Sequence, residues 1–166
     1  MSRQISAGFI VYRKTEQGPR FLILYHGRGY WNFPKGKIES EEKSFQTAIR
    51  ELREETGLGR QDLKVIERFK AYEKFVFWVK TEKIFKIVIF YLAETKKKGV
   101  KISEIEEGQP HEGFGWFTYR EALKILSKHK DSQRVLKQAY DFLQRKGVKR
   151  RSQNSARKSS DLQTSR

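Results

Sequence analysis

The sequence predicts an α+β fold, an α-β-α sandwich in which helices cover a mixed central sheet. Apolar segments rich in β-branched and aromatic residues occur both before and after one strongly periodic helical segment. Two further helical segments follow the last strand segment. Strands on both sides of a helix, with more helices at the end, favour a mixed sheet with helices on its faces. With 166 residues, the chain is long enough for one domain with a buried core.

Six segments are predicted to form strands because they are apolar and rich in β-branched or aromatic residues. They are residues 5–13, 21–26, 64–69, 75–79, 84–93 and 113–117. Turn residues separate the first two segments, and a short polar stretch separates the fourth from the fifth. We therefore expect two strand pairs within the sheet.

The first predicted helix lies between Ser40 and Gly57. Ser40 is a suitable N-cap, and Glu41 and Glu42 would lie in the first turn, where the helix dipole favours acids. Gly57 is a suitable residue to end the helix. The apolar residues of this segment recur with the helical period and predict its buried face: Phe45, Ala48, Ile49 and Leu52.

Two more helices are predicted at residues 119–127 and 133–145, and a basic tail follows them. The sequence thus predicts a domain over residues 1–146 and a tail over residues 147–166. The tail has almost no large apolar residues, so we expect it to be disordered. Its charged residues are Lys149, Arg150, Arg151, Arg157, Lys158 and Arg166 against Asp161.

Composition narrows the classes of function. The net charge of +16 favours anionic partners such as nucleotides, nucleic acid or a membrane surface, although a solvated basic surface is the simpler interpretation. The absence of cysteine excludes disulfides, thiolate metal ligands and a cysteine nucleophile. No apolar run approaches the roughly 20 residues of a membrane span, and no signal peptide is apparent. A cytoplasmic protein is expected.

Three acids on the first helix predict a metal site. Glu51, Glu54 and Glu55 lie on adjacent turns, away from the apolar face, and like charges at this spacing repel each other. Carboxylates are ligands that Mg²⁺ and Mn²⁺ prefer, and Arg50 can orient one of them. The alternative is an acidic solvated surface paired with Arg50 and Arg53.

The loop before this helix adds phosphate-binding residues. Pro34 stiffens the loop, and Gly36 lets its backbone approach a ligand. Lys35 and Lys37 flank the glycine and can contact phosphate oxygens. Metal-binding acids and phosphate-binding lysines in one loop–helix unit predict metal-assisted phosphoryl chemistry.

These residues resemble the signature of the Nudix hydrolase family. Gly36, Glu42 and the run Arg50-Glu51-Leu52-Arg53-Glu54-Glu55-Thr56-Gly57-Leu58 match the pattern G-x5-E-x7-R-E-U-x-E-E-x-G-U, where U is a bulky aliphatic residue. The resemblance implies a Nudix-type α-β-α sandwich over roughly residues 3–145. It also implies hydrolysis of a nucleoside diphosphate linked to another group, with Mg²⁺ or Mn²⁺ as cofactor.

The resemblance further implies individual roles. Glu51, Glu54 and Glu55 would bind the metal with the carbonyl of Lys35 or Gly36, and Arg50 would orient a metal-binding glutamate. The identity of the base stays open among these glutamates. Pro110 stands where a glutamate often precedes the histidine, which leaves Glu107 and Glu112 as candidates for a remote metal-binding carboxylate.

Further segments resemble asymmetric dinucleoside tetraphosphate hydrolases. They are residues 8–13, 31–39, 86–93 and 111–117, with Lys37 where a histidine is common. This resemblance implies cleavage of diadenosine tetraphosphate (Ap4A) to ATP and AMP. Lys35, Lys37, Lys86 and His111 would then bind the substrate, and Tyr72 or Phe75 would stack on an adenine.

Three other functions stay open from the sequence. An RNA 5′-end pyrophosphohydrolase would use the same metal site and could hold RNA with the basic tail. A nucleoside triphosphate pyrophosphohydrolase would act on a mononucleotide. A catalytically inert module would only bind nucleotides, but such a module has no need for three mutually repelling carboxylates.

Overall fold

The computed structural model describes residues 1–101 and 113–163, which form eight strands and three helices. The strands are β1 (Ser2–Thr15), β2 (Gly18–Tyr25), β3 (Trp31–Asn32), β4 (Lys35–Lys37), β5 (Leu63–Val65), β6 (Ala71–Val79), β7 (Glu82–Thr95) and β8 (Gly113–Thr118). The helices are α1 (Ser44–Thr56), α2 (Tyr119–Ile125) and α3 (Lys130–Gln163).

All eight strands belong to one mixed sheet built around β1. Strand β1 is parallel to β7 and antiparallel to both β2 and β4. Strands β5 and β6 pair antiparallel with β7, and β3 and β8 pair antiparallel with β2. The two predicted strand pairs are therefore the hairpins β1–β2 and β6–β7.

Two hydrophobic clusters lie on opposite faces of the sheet. The cluster under α1 contains Phe9, Leu22 and Leu52, all fully buried. The cluster under α2 and α3 contains Phe90 from β7 and Leu136 from α3. Helices pack on both faces of a mixed sheet, which confirms the predicted α-β-α sandwich.

Helix α1 begins at Ser44, three residues later than the sequence predicts, and its N-cap is Lys43 instead of Ser40. Glu41 and Glu42 precede the helix instead of forming its first turn, and Glu41 has a positive φ of 68°. The physical reason is that Glu42 is held by side chains of the helix: Thr47 Oγ1 donates to it at 2.7 Å. The predicted end is confirmed, because Gly57 caps the helix with a φ of 73°.

Helix α3 continues through most of the segment that was expected to be disordered, and it ends at Gln163. This part of the chain has no proline and is rich in Lys, Arg and Gln, which allow a helix to continue. The described residues 149–158 are exposed, so this part of the helix is not held by a core. The division between domain and tail at residue 147 stays a prediction.

Two predicted boundaries in the sheet were wrong. The loop around Lys35 contains the short strands β3 and β4, because its backbone pairs with β2 and β1. The predicted strand at 64–69 is shorter, because β5 ends at Val65 and Arg68 has a positive φ of 64°. Within the described part of the chain, no helix combines the length and apolarity needed to cross a membrane.

Candidate active site

Strand β4 and helix α1 meet at Gly36 and Glu51. Pairing of Gly36 with Ala7 of β1 fixes the backbone of β4, and burial of Ala48 and Leu52 fixes α1 on the same sheet. A Cβ atom added to Gly36 would lie 1.9 Å from Glu51 Oε1, far closer than real contacts. Only glycine therefore allows the Glu51 carboxylate to lie against this backbone.

Arg50 binds the acids around this junction. Its Nε donates to Glu42 Oε1 at 2.6 Å, and its Nη1 donates to both Glu51 Oε1 at 2.9 Å and Glu54 Oε2 at 3.2 Å. A terminal nitrogen also donates to the Lys37 carbonyl at 3.1 Å, which ties α1 to β4. One guanidinium thus orients three carboxylates, as such charge-assisted bonds can do.

The acids at this junction have different electrostatic environments. Hydrogen bonds from Arg50, then from Thr47, lower the pKa of Glu42 to about 2. Burial raises the pKa of Glu51 despite its bond from Arg50, and the charges of Glu55 and Glu54 raise it further. Burial thus disfavours the charged form of Glu51, and a nearby cation would favour that form.

The carboxylate oxygens at this junction are hard donors of the kind that bind divalent cations. Within residues 1–101 and 113–163, however, no three acidic or histidine side chains are gathered closely enough to hold a metal ion. Arg50 binds an oxygen atom of both Glu51 and Glu54, so the side chains would have to turn toward a shared ion. The Glu54 side chain is 57% exposed, against 15% for Glu51, and so has room to turn. The Glu51 carboxylate also lies directly against the backbone of Gly36.

A cavity of about 550 Å³ opens between β6, the segment 30–35 and the start of α3. Three of the residues that the sequence predicts to bind substrate line it: Lys35, Phe75 and Lys86. We call this cavity the pocket. Its other lining residues are Tyr30, Asn32, Glu73, Phe77, Lys128, His129, Lys130, Asp131 and Ser132.

The pocket has an excess of positive charge. Burial lowers the pKa of Lys86, and the nearby ammonium groups of Lys35 and Lys37 lower it further. An anionic ligand would reverse this effect by favouring the charged form. The lysines therefore provide a site for phosphate oxygens, and Lys35 joins this pocket to β4, the strand that also carries Gly36.

Sequence reasoning missed one buried acid in the pocket. Glu73 is only 3% exposed and accepts a hydrogen bond from Ser132 Oγ at 2.7 Å. Burial raises its pKa, while Lys35 and Arg134 act in the opposite direction. Glu73 lies just before the predicted strand 75–79 and carried no sequence signal of its own, because only the packing of α3 against β6 shows that it is buried.

The two aromatic residues predicted to stack on adenine differ in whether they line the pocket. Phe75 lines the pocket, whereas Tyr72 does not, so of the two alternatives the geometry favours Phe75. The reason is strand alternation: β6 turns Glu73, Phe75 and Phe77 to the pocket and Tyr72 to the other face of the sheet. Of the other predicted residues, His111 and Glu112 lie outside the described residues.

Comparison with known proteins agrees with this geometry. A family model of the NUDIX domain matches residues 2–139. An asymmetrical bis(5′-nucleosyl)-tetraphosphatase from Sus scrofa is 33% identical over 146 residues, covering 83% of this chain and 94% of that protein. The similarity therefore spans nearly the whole of the relative.

A crystal structure of a C. elegans Ap4A hydrolase binary complex has a TM-score of 0.70 and 26% sequence identity. The match covers 84% of this chain and 97% of that one. An RNA pyrophosphohydrolase from Edwardsiella ictaluri is 36% identical, but over only 70 residues, 39% of this chain and 40% of that protein. The similarity to the tetraphosphatases is thus about twice as long.

Proposed function

Because the chain belongs to the Nudix hydrolase family, we propose that it hydrolyses dinucleoside polyphosphates, with Ap4A cleaved to ATP and AMP as its main reaction. It is a Nudix pyrophosphohydrolase that acts on phosphoric anhydrides. We choose this substrate because the chain is similar to an asymmetrical tetraphosphatase over 94% of that protein's length. The pocket supports it, since it combines exposed aromatic rings with lysines.

Nudix hydrolases generally use divalent metal ions. We assign Mg²⁺ here, which Glu51, Glu54, Glu55 and the carbonyl of Gly36 would hold after the side chains turn toward it, because all four are hard oxygen donors on one loop–helix unit. When bound, the ion would neutralise phosphate charge and lower the pKa of a bound water.

The chain's own residues would orient and bind the substrate. Arg50 holds Glu51 and Glu54 in place through bonds of 2.9 and 3.2 Å. Lys35 and Lys86 would bind the polyphosphate, and Phe75, which is 37% exposed, would stack on one adenine. Base–aromatic stacking contributes about 1–3 kcal/mol per base in single-strand binders, so one ring matters for affinity.

We propose Glu54 as the group that accepts a proton from the attacking water. Its side chain is the more exposed of the two carboxylates that Arg50 holds on α1, and it can reach solvent that enters the site. Glu51 is buried against Gly36 and suits a fixed ligand better.

A second candidate is removal of pyrophosphate from an RNA 5′ end. The partial similarity to an RNA pyrophosphohydrolase supports it, and the same carboxylates would serve the reaction. The shorter match ranks it below Ap4A hydrolysis.

The test is product analysis of Ap4A incubated with the protein and Mg²⁺ in ¹⁸O-labelled water. ATP and AMP in equal amounts are expected, and the position of the label shows which phosphorus the water attacks. Cleavage of 5′-triphosphorylated RNA without cleavage of Ap4A would replace the first candidate by the second. The absence of cleavage of either substrate by the folded protein would contradict both.

A further inference from the structure

Strand β6 carries a second set of aromatic and basic residues on the face that does not line the pocket. Tyr72, Val76 and Trp78 are 43%, 46% and 65% exposed, and Lys74 lies exposed between them. We call these four side chains the exposed face of β6. Large apolar side chains grouped in solvent usually mark a binding surface.

The spacing along this face suits an unstacked polynucleotide. Alternate residues of a strand are ~6.8 Å apart, so Tyr72 and Trp78 stand ~20 Å apart with a lysine between them. The step of ~6.8 Å is about twice the 3.4 Å rise per nucleotide of a strand in duplex DNA. Bases that have been pulled out of a stack can therefore meet successive positions of β6.

A basic groove adjoins this face. A cavity of about 510 Å³ lies between β6 and α3. The cations and rings that line it include Tyr72, Lys74, Arg68, Lys70, Arg134 and Arg145, and Asp141 is the one acid among its described lining residues. Asp141 is already paired with Lys137 at 2.6 Å. Over the described part of the chain, Arg68, Lys74 and Arg145 form no ion pair with a carboxylate. These cations are available to an external anion.

The positive charge continues along α3 beyond the groove. From residue 142 to residue 160 the sequence contains no acid, and seven basic residues occur: Arg145, Lys146, Lys149, Arg150, Arg151, Arg157 and Lys158. This helix is exposed over its described residues from 149 to 158. A long basic helix beside a groove with aromatic residues gives a continuous path for a phosphodiester backbone.

We propose that the exposed face of β6 and the groove between β6 and α3 bind a single strand of nucleic acid outside the catalytic pocket. Cations at the groove would contact the phosphates, and the rings of Tyr72 and Trp78 would stack on unpaired bases. The groove and the pocket share no lining residue, so the two ligands can be bound together. The proposal goes beyond the proposed hydrolysis of Ap4A and does not depend on its substrate.

A flat anionic membrane and an acidic protein fit these observations less well. The cations line a concave groove, and the face of one extended strand carries two aromatic rings with a lysine and a valine between them. An extended polymer with a charged backbone and flat bases matches both features, which a lipid surface does not.

The test measures the fluorescence anisotropy of labelled 12-nucleotide RNA and DNA oligonucleotides titrated with the full chain at about 0.1 M salt. The double variant Tyr72→Ala/Trp78→Ala is expected to raise the Kd by about tenfold or more for each ring removed. Phe75→Ala, on the pocket face of the same strand, is the matched control and should leave this Kd unchanged. Unchanged circular dichroism and Ap4A hydrolysis in the double variant would show that its fold is intact.

A second variant tests the groove. Arg68→Ser/Arg145→Ser should reduce the salt dependence of binding, because each phosphate contact contributes about 0.7 to the slope of log K against log salt for single strands. Tighter binding to RNA or to DNA would identify the preferred strand. Binding that survives in Tyr72→Ala/Trp78→Ala would overturn the proposal, and so would equal affinity for a duplex. Preference for anionic vesicles over both oligonucleotides would assign this surface to a membrane instead.

Discussion

Charged side chains cluster both at the junction of β4 with α1 and in the groove between β6 and α3, but their surroundings differ. At the junction, Arg50 is bound to Glu42, Glu51 and Glu54 at distances of 2.6 to 3.2 Å. In the groove, cations such as Arg68 and Arg145 are exposed to solvent. The charged groups of the junction are fixed in one geometry, whereas the charged side chains of the groove can change conformation.

This difference separates a site for chemistry from a site for attachment. Catalysis requires groups held in one geometry, and burial changes the pKa of those groups, as it does for Glu51 and Lys86. Attraction of a polyanion requires only accessible charge, and it weakens with salt. Substitutions in the two regions should therefore affect different measurements.

Glu54→Gln should produce the largest effect at the junction. It removes the negative charge and proton acceptor that we assign to this residue, so kcat for Ap4A should fall by about 10²–10⁴-fold. Glu121→Gln, an exposed substitution on α2, is a control and should keep wild-type kcat. Near wild-type kcat in Glu54→Gln would show that another group accepts the proton.

Gly36→Ala should have the next largest effect. The new Cβ would lie 1.9 Å from the Glu51 carboxylate and would push it away from the backbone. Binding of Mn²⁺, measured by calorimetry without substrate, should weaken by about 10–100-fold, the range seen when a metal ligand loses its support. Wild-type affinity for Mn²⁺ would place the metal elsewhere.

The KM for Ap4A should depend on pH because Lys86 changes its protonation state. Because burial lowers its pKa, Lys86 loses its proton at a lower pH than an ordinary lysine, and the attraction for polyphosphate is lost with it. KM for Ap4A should therefore rise on the alkaline side, and Lys86→Arg should abolish that rise. An identical alkaline profile in Lys86→Arg would assign the titration to another group.

Glu42→Gln should change the stability of the junction toward acid. The pKa of Glu42 is about 2 in the fold, below its ordinary value of 4.5, so its stabilising effect is present above pH 4.5 and is lost as the pH falls toward 2. The fall in Tm over this interval should be shallower in Glu42→Gln. Glu41→Gln is the neighbouring control, and a change of equal size there would show that Arg50 is not the cause.

Removal of residues 147–166 should have the smallest effect on the junction. No described residue of this segment lines the pocket, so kcat/KM for Ap4A should stay within about twofold of the full chain. The same deletion should weaken binding of an oligonucleotide, because it removes basic residues of α3. Loss of Ap4A hydrolysis would make the tail part of the catalytic site.

The sequence predicts the sheet, the buried face of α1 and the acids at its end because these follow from local period and residue type. It does not predict where α1 begins, since the bonds of Glu42 to Arg50 and Thr47 decide the start. It also misses the continuation of α3, where good helix formers remain helical without a buried face. Composition alone does not distinguish such a helix from a disordered tail.

The two faces of β6 show more clearly what the sequence alone does not determine. Alternation predicts that Tyr72 and Phe75 point to opposite faces, but it does not say which face carries the pocket. That depends on the register of β6 with β7, in which Phe75 lies opposite Lys86, and on the packing of α3. The candidate lysines of the pocket were thus predictable one by one, whereas their common location needed the fold.

The most direct measurement is the KM for Ap4A of two matched variants, Phe75→Ala and Tyr72→Ala. They remove one ring each from opposite faces of the same strand. Removal of the Phe75 ring should raise KM by roughly tenfold or more, because its stacking on adenine is lost, whereas Tyr72→Ala should stay within about twofold of wild type. An equal rise in both variants, or a rise in Tyr72→Ala alone, would contradict the assignment of substrate binding to the pocket.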